Sequence, residues 1–239
     1  MYLMKKYIIL IIFLLYSINI FAVNFETGLY ASVGLNINIF EREESGIIKY
    51  GSKTKGFIGG EYGILGNIGA NFDIPNATLK SISALIDFGY YKTILSKIIE
   101  PDKPYFTFFD VFNLGFLGKL NFNNNFSFGI GAGVMFPFSG FTLDSNDNTK
   151  RFNYGYIKDN YTKTTMPYIK LVFEGIHYLK EKLLFIYGAS LSYNFGMEYK
   201  NPIMSWYNEN GSLITSYDKE QYSYINISIF AGISFGRSK

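Results

Sequence analysis

Residues 25–39 read FETGLYASVGLNINI, and this stretch decides the fold. The side chains that share one face are Phe25, Thr27, Leu29, Ala31, Val33, Leu35, Ile37 and Ile39. The residues between them are Glu, Gly, Tyr, Ser and Asn. Because successive side chains of a β-strand point to opposite faces, this period of two predicts a strand with one apolar and one polar face.

The same alternation recurs along the rest of the chain. It predicts seven further strands, at about residues 56–72, 79–91, 105–120, 126–138, 165–178, 183–199 and 222–236. One residue breaks the pattern, because Asp110 falls on the apolar face of its strand. A bulge near Phe108 would turn Asp110 inward, whereas a position at the rim of a membrane barrel would tolerate its charge.

The connections between the predicted strands alternate in length. Residues 73–78, 121–125 and 179–182 form short turns, whereas residues 41–55, 92–104, 139–164 and 200–221 form long polar segments. Short turns at one end and long loops at the other are typical of outer-membrane barrels, in which the short turns face the periplasm. The pattern therefore predicts an all-β, eight-stranded antiparallel up-and-down transmembrane barrel.

Alternation alone does not say which face of the barrel points outward. A soluble lipocalin-like ligand-binding barrel is apolar inside, whereas a membrane barrel is apolar outside. Here the polar faces are mostly Gly, Ser and Asn, and the charges concentrate in the long segments. A water-facing surface normally carries about 25–35% charged residues, so these faces fit a narrow lumen better.

The first 22 residues predict export. Lys5 and Lys6 precede an apolar run over residues 7–20, and Ala22 supplies a small residue for cleavage. The run is shorter than the ~20 residues that a spanning helix requires. We therefore expect a signal peptide at 1–22, an outer-membrane barrel domain at 23–239 and a location in the bacterial outer membrane.

Composition excludes several classes of function. The chain has no Cys, which excludes a disulfide framework and a thiolate metal site. Without Lys5 and Lys6 the net charge falls from +3 to near +1, which argues against nucleic acid as a partner. His177 is the only His and lacks a nucleophile pattern around it. We expect no enzyme activity, no cofactor and no metal.

Several groups of residues are candidates for function. Charged residues on the polar, inward faces are either structural or part of a gated ion path; they are Glu61, Asp87, Lys119, Lys170, Glu174 and Glu198. Among them we expect Lys170 to meet Glu61, directly or through Glu174, because strands two and six lie on opposite walls. The glycines of Gly129-Ile-Gly131-Ala-Gly133 are interpreted as small lumen residues.

The long segments hold two further sets of candidates. Aromatic residues there serve either as adhesive contacts or as an interfacial girdle; they are Tyr154, Tyr156, Trp206 and Tyr207. Asp144, Asp147 and Asp159 could bind a hard cation, but their spacing does not fit an EF-hand and the favoured interpretation is a solvated loop.

The architecture resembles the small outer-membrane barrels, namely the transmembrane domain of outer membrane protein A and the opacity and attachment-invasion-locus proteins. The resemblance covers the region after residue 22 and implies a fold and a location, but no functional residue. Members of this group usually end in an aromatic residue that aids insertion. Here the matching Phe235 is followed by Gly-Arg-Ser-Lys, which departs from that pattern.

These observations predict a non-enzymatic, monomeric surface barrel in contact with outer-membrane lipid. Its four long loops would contact a host or envelope macromolecule, because function usually resides in loops on a rigid scaffold. A narrow channel or small-solute transporter is the alternative, and a soluble periplasmic ligand-binding barrel is a third possibility.

Overall fold

The computed structural model describes residues 23–44, 47–50, 58–74, 78–99, 103–122, 125–143, 149–200, 206–207, 213–214 and 219–236. The predicted signal peptide lies outside the described residues, as do Asp144 and Asp147.

Strands account for nearly all of the described chain. In chain order the elements are the strands β1 (Val23–Glu44), β2 (Ile47–Tyr50), β3 (Ile58–Asp73), β4 (Leu79–Ile99), β5 (Lys103–Phe122), β6 (Phe126–Leu143) and β7 (Thr149–Asn153), the helix α1 (Tyr154–Asn160), and the strands β8 (Tyr161–Lys163), β9 (Met166–Tyr178), β10 (Leu183–Tyr199), β11 (Trp206–Tyr207), β12 (Leu213–Ile214) and β13 (Lys219–Phe235). Among the described residues, no helix is long and apolar enough to cross a membrane.

Eight of these strands form a closed antiparallel barrel. Its order is β1-β3-β4-β5-β6-β9-β10-β13, and β13 pairs back onto β1 from Thr27↔Phe235 to Glu43↔Lys219. Each of the eight predicted strands corresponds to one of these, so the predicted eight-stranded barrel is confirmed. Closure pairs the edges that an open sheet would leave exposed.

The apolar faces point outward. Ile64, Phe116, Ile130 and Ile229 expose 57%, 75%, 60% and 64% of their surface, whereas inward polar residues such as Asn113 are buried. A barrel with this distribution is stable only when a hydrocarbon layer covers its outer surface. The membrane interpretation of the alternation is therefore confirmed, and the soluble barrel is wrong.

At one end of the barrel the strands continue well beyond the apolar belt. The prediction of a long loop over residues 92–104 is wrong, because β4 runs to Ile99 and β5 begins at Lys103, with these two residues paired. Beyond the membrane the outer face of a strand meets water instead of hydrocarbon and need not be apolar, so the alternation fades although backbone pairing persists. We call this the long-hairpin end, and the end with the short connections between β3 and β4, β5 and β6, and β9 and β10 the short-turn end.

The projection at the long-hairpin end is substantial. On β4 the exposed apolar residues end at Tyr90, and residues 91–99 follow. With a rise of ~3.4 Å per residue and a tilt of ~40°, these residues extend roughly 23 Å past the belt.

Asp110 lies on the outer face at the top of the belt. The bulge is in β6, where Phe138 is an extra residue opposite Asp110, and not in β5. Asp110 accepts hydrogen bonds from Lys92 Nζ at 2.7 Å, Tyr90 Oη at 2.8 Å and Ser139 Oγ at 2.7 Å. The rim position considered for Asp110 is therefore correct, and these partners satisfy its charge.

Glu198 is not a lumen residue, which corrects the sequence prediction. The pairing of β10 with β13 shifts between Asn194 and Met197, and Gly196 adopts φ = 67°. A bulge of this kind exchanges inward and outward positions along the strand. Glu198 consequently lies on the outer side, where it forms an ion pair with Lys163 at 2.9 Å.

Candidate functional site: the lumen and the long-hairpin end

A three-residue ion cluster lies in the lumen toward the short-turn end. Lys119 Nζ is 2.8 Å from Glu26 Oε1 and 3.2 Å from both carboxylate oxygens of Glu174. All three side chains are buried, and a buried charge is tolerated only when it is paired. Sequence reasoning placed Lys119 and Glu174 inside but did not select Glu26, which the same alternation also turns inward.

Amide and hydroxyl groups complete the surroundings of this cluster. Ser83 Oγ donates to Glu26 Oε2 at 2.5 Å, and Asn71 Nδ2 donates to Ser83 Oγ at 2.9 Å. Asn121 also donates to Ser83, at 2.9 Å, and accepts from Ser127 at 2.7 Å. The network links β1, β3, β4, β5 and β6, so it fastens more than half of the barrel wall from within.

A second cluster centres on Asp87 near the middle of the lumen. Asp87 Oδ2 accepts hydrogen bonds from Lys170 Nζ at 2.6 Å, Tyr168 Oη at 3.0 Å and Asn113 Nδ2 at 3.1 Å. The predicted pair of Lys170 and Glu61 is therefore wrong. The prediction took no account of the stagger between neighbouring strands, which brings Asp87 on β4, rather than Glu61 on β3, to the depth of Lys170.

Glu61 occupies a separate position, closer to the long-hairpin end. It is 6% exposed and accepts a hydrogen bond from Thr93 Oγ1 at 3.1 Å. The described lumen thus holds four carboxylates, from Glu26, Glu61, Asp87 and Glu174, and two ammonium groups, from Lys119 and Lys170.

The glycines of β6 make room for the two lysines. A Cβ atom on Gly129 would lie 3.0 Å from Lys119 Cγ, and one on Gly131 would lie 3.1 Å from Lys170 Cε. Both distances are tighter than ordinary packing, so the predicted role of these glycines as small lumen residues agrees with their position.

The lumen contains a small cavity lined largely by polar and charged residues. The cavity is about 40 Å³, and its lining includes Glu61, Asp87, Lys170 and Glu174. With about 10–15 Å³ required per water, it holds roughly three water molecules. Buried apolar residues lie beyond it, with Leu184 and Ile186 toward the short turns and Met166 and Tyr224 toward the long hairpins.

The described residues contain no candidate metal centre with His, Cys or carboxylate ligands. No group of three or more His, Cys, Asp or Glu side chains within them is placed to hold a metal ion. His177 is exposed on β9 close to the short-turn end, and Asp159 is exposed on α1.

The third long segment, residues 139–164, contains helix α1. Asn153 caps the helix by accepting a hydrogen bond from Tyr156 N at 3.2 Å, and Ile157 is fully buried. Tyr154 and Tyr156 are 50% and 39% exposed. Tyr156 packs on Phe152 with ring centroids 5.3 Å apart, which leaves both proposed roles of these tyrosines open.

Between residues 201 and 218 the structure describes only residues 206–207 and 213–214, and these only in their backbone. Trp206 and Tyr207 form β11, which pairs with β12 as a two-stranded ladder. Their side chains lie outside the described residues.

Comparison with protein families gives one match. Residues 67–238 match the model of the outer membrane protein beta-barrel domain. A search of curated protein sequences finds no match.

Several solved outer-membrane proteins are similar over most of their length. OprG from Pseudomonas aeruginosa has 10% identity and a TM-score of 0.45, covering 92% of this chain and 98% of that one. Ail, the attachment invasion locus protein of Yersinia pestis, has 12% identity and a TM-score of 0.38, with coverages of 88% and 98%. The outer membrane protease OmpT from Escherichia coli has 10% identity and a TM-score of 0.39, with coverages of 90% and 97%.

Proposed function

Because the chain belongs to the outer membrane protein β-barrel domain family and resides in the bacterial outer membrane, we propose that it is a non-enzymatic surface barrel. In this proposal its long hairpins contact a host or envelope macromolecule outside the cell. The barrel acts as a rigid scaffold that holds those hairpins in place.

The asymmetry of the barrel is the observation that carries this proposal. The β4–β5 hairpin continues as paired strands to Ile99 and Lys103, and β1 and β13 stay paired as far as Glu43 and Lys219. The short-turn end has no comparable extension among the described residues. Paired strands beyond the membrane form a stiff platform, which lowers the entropic cost of ordering a contact surface upon binding.

The buried ion cluster in the lumen favours this proposal over a channel. Lys119 lies between Glu26 and Glu174 in the narrow interior, and opening a path there would separate these paired charges. Separating a buried ion pair without replacement partners costs several kcal/mol, roughly 3–5.

A narrow channel is the second candidate, and the hydrated cavity in the lumen favours it. The cavity of about 40 Å³ is lined by charged groups from Glu61, Asp87 and Lys170, which would suit ion passage if the lumen widened. Planar bilayers distinguish the two candidates. A surface barrel gives no steady single-channel current at physiological salt, whereas a channel gives reproducible steps.

Binding by intact cells tests the surface role directly. Cells expressing the full chain are compared with cells expressing a variant in which residues 95–107 are replaced by a two-residue turn. We expect the full chain to increase cell adhesion to an immobilised extracellular-matrix preparation and the trimmed variant to lose that increase. A heat-dependent shift in gel mobility verifies that both barrels fold. Equal adhesion by both variants and by cells without the protein would contradict the proposal.

A further inference from the structure

Three methionines lie in one layer of the lumen, on the long-hairpin side of the ion pairs. They are Met135 on β6, Met166 on β9 and Met197 on β10, and they are the only methionines among the described residues. Their side chains are 4%, 1% and 2% exposed. These strands are consecutive in the barrel, so the three thioether side chains enter the lumen from one continuous part of its wall.

Strand register brings these side chains together. Met135 and Met166 are direct partners in the pairing of β6 with β9, and Cβ atoms of such partners are about 4.5–5.5 Å apart. On β10, regular alternation beyond the inward-facing Asn194 would turn Met197 outward. The bulge at Gly196 adds one residue to β10, so the buried Met197 lies inside at the level of Met166. The bulge therefore completes the methionine layer.

An anionic side chain lies next to this layer. Tyr224 Oη is 3.5 Å from Met135 Sδ and also contacts the carboxylate of Glu61. Among the described residues Glu61 forms no ion pair with Lys or Arg, and Lys170 is instead paired with Asp87 at 2.6 Å. A buried carboxylate is stable as an anion only when a cation lies near it.

The combination of thioethers with one unpaired carboxylate suits a soft monovalent cation. Thioether sulfur is a soft ligand that favours Cu(I). Since a thioether carries no charge, a Cu(I) ion held by thioethers keeps its positive charge and requires an anion near it when it is buried. Met135 and Glu61 both line the cavity of about 40 Å³, which gives this layer contact with water in the lumen.

From the methionine layer and the unpaired Glu61 we propose that the lumen binds one Cu(I) ion. The sulfur atoms of Met135, Met166 and Met197 are its ligands, and Glu61 balances its charge. The copper enters and leaves as Cu(I), so binding requires no electron transfer. This site differs from metal centres built from His, Cys, Asp or Glu, which the described residues do not contain. It is also independent of any macromolecule bound by the hairpins.

Titration with Ag(I) tests the proposal, because Ag(I) has the charge and the ligand preference of Cu(I) and is stable in air. We expect calorimetry of the full, detergent-solubilised protein in chloride-free buffer to show saturation at one equivalent. Met166→Leu conserves side-chain volume and should weaken binding at least about tenfold. The matched control is Met204→Leu, which removes a thioether outside the described residues and should change the affinity less than about twofold. The absence of saturable binding by the unaltered protein, or equal losses in the two variants, overturns the proposal.

X-ray absorption of the protein loaded with Cu(I) under anaerobic conditions identifies the atoms bound to the metal. We expect sulfur neighbours in the unaltered protein, and a spectrum with only oxygen or nitrogen neighbours overturns the proposal. Glu61→Gln should weaken binding about tenfold while the sulfur neighbours remain. An unchanged affinity in that variant overturns the role of Glu61. Heat-dependent gel mobility verifies folding of each variant. If Met166→Leu does not fold, Met135→Leu replaces it, and the spectrum of the unaltered protein still decides whether sulfur binds the metal.

Discussion

Lys119 Nζ lies 2.8 Å from Glu26 Oε1, and this contact joins β5 to β1 across the interior of the barrel. The same ammonium group reaches Glu174 on β9 at 3.2 Å, so one cation holds three walls together. Strand pairing alone fixes each wall only to its neighbours. The cluster therefore adds a restraint across the lumen that the backbone does not provide.

Replacing Lys119 should destabilise the barrel strongly. Lys119→Met leaves the Glu26 and Glu174 carboxylates buried without their cation, and we expect a loss of about 3–5 kcal/mol in the free energy of unfolding. The triple variant with Glu26→Gln and Glu174→Gln should recover much of that loss, because no buried charge remains. Urea unfolding in lipid vesicles measures both. An exposed ion pair contributes about 1 kcal/mol or less. If Lys119→Met lowers the free energy of unfolding by no more than that, the cluster is solvated and not buried.

The second cluster predicts a specific coupling. A double-mutant cycle with Lys170→Met and Asp87→Asn should give a coupling energy of about 1–3 kcal/mol, since the two groups are 2.6 Å apart. The matched cycle with Lys170→Met and Glu61→Gln should give less than about 0.5 kcal/mol. The opposite ranking would mean that Lys170 exchanges its partner from Asp87 to Glu61.

Sequence alternation predicted the barrel but not the partners inside it. Whether a side chain points inward or outward depends only on its position along its own strand, so Lys119 and Asp87 were placed correctly in the lumen. This alternation fails where the backbone departs from the regular repeat, as at Gly196, beyond which Glu198 points outward. The depth of a residue along the barrel axis is harder to predict, because the stagger between strands is set only when the barrel closes. That stagger determines that Lys170 contacts Asp87 and not Glu61.

The ends of the strands could not be predicted from the alternation of apolar and polar residues either. Apolar faces are required only where hydrocarbon covers the wall, so the pattern ended near Tyr90 while β4 continued to Ile99. The contact role that we propose for the long-hairpin end is likewise not encoded in any short motif. The proposal rests on how far the paired strands project beyond the apolar belt.

Lipid exposure gives a prediction with a depth control. Ile130 lies at mid-belt and is 60% exposed, so Ile130→Arg should cost about 2–4 kcal/mol of folding free energy in a bilayer. Phe138 lies at the upper edge of the belt, and Phe138→Arg should cost about 0–1 kcal/mol. Refolding into vesicles with urea titration measures both. Equal costs at the two positions would place the membrane elsewhere on the barrel.

The bulge at Gly196 gives a prediction about backbone strain. Gly196 has φ = 67°, which is unfavourable for a β-branched residue. Gly196→Val should therefore cost about 1–3 kcal/mol and weaken the Glu198–Lys163 pair beyond it. Gly118→Ala is the control, since its Cβ would meet only Ile130 O at 3.9 Å. A cost no larger than that of the control would mean that β10 can pair without the bulge.

Protease accessibility tests the orientation of the whole barrel. Trypsin cleaves after Lys and Arg, and the two ends present matched exposed sites, Lys158 on α1 and Lys180 in the turn between β9 and β10. If the long hairpins face the exterior, trypsin added to intact cells should cut at Lys158 and leave Lys180 uncut. Rupturing the outer membrane should then expose Lys180, which controls for intrinsic resistance of that turn. Mass spectrometry of the fragments identifies each cut, and cleavage at Lys180 with Lys158 protected in intact cells would invert the barrel.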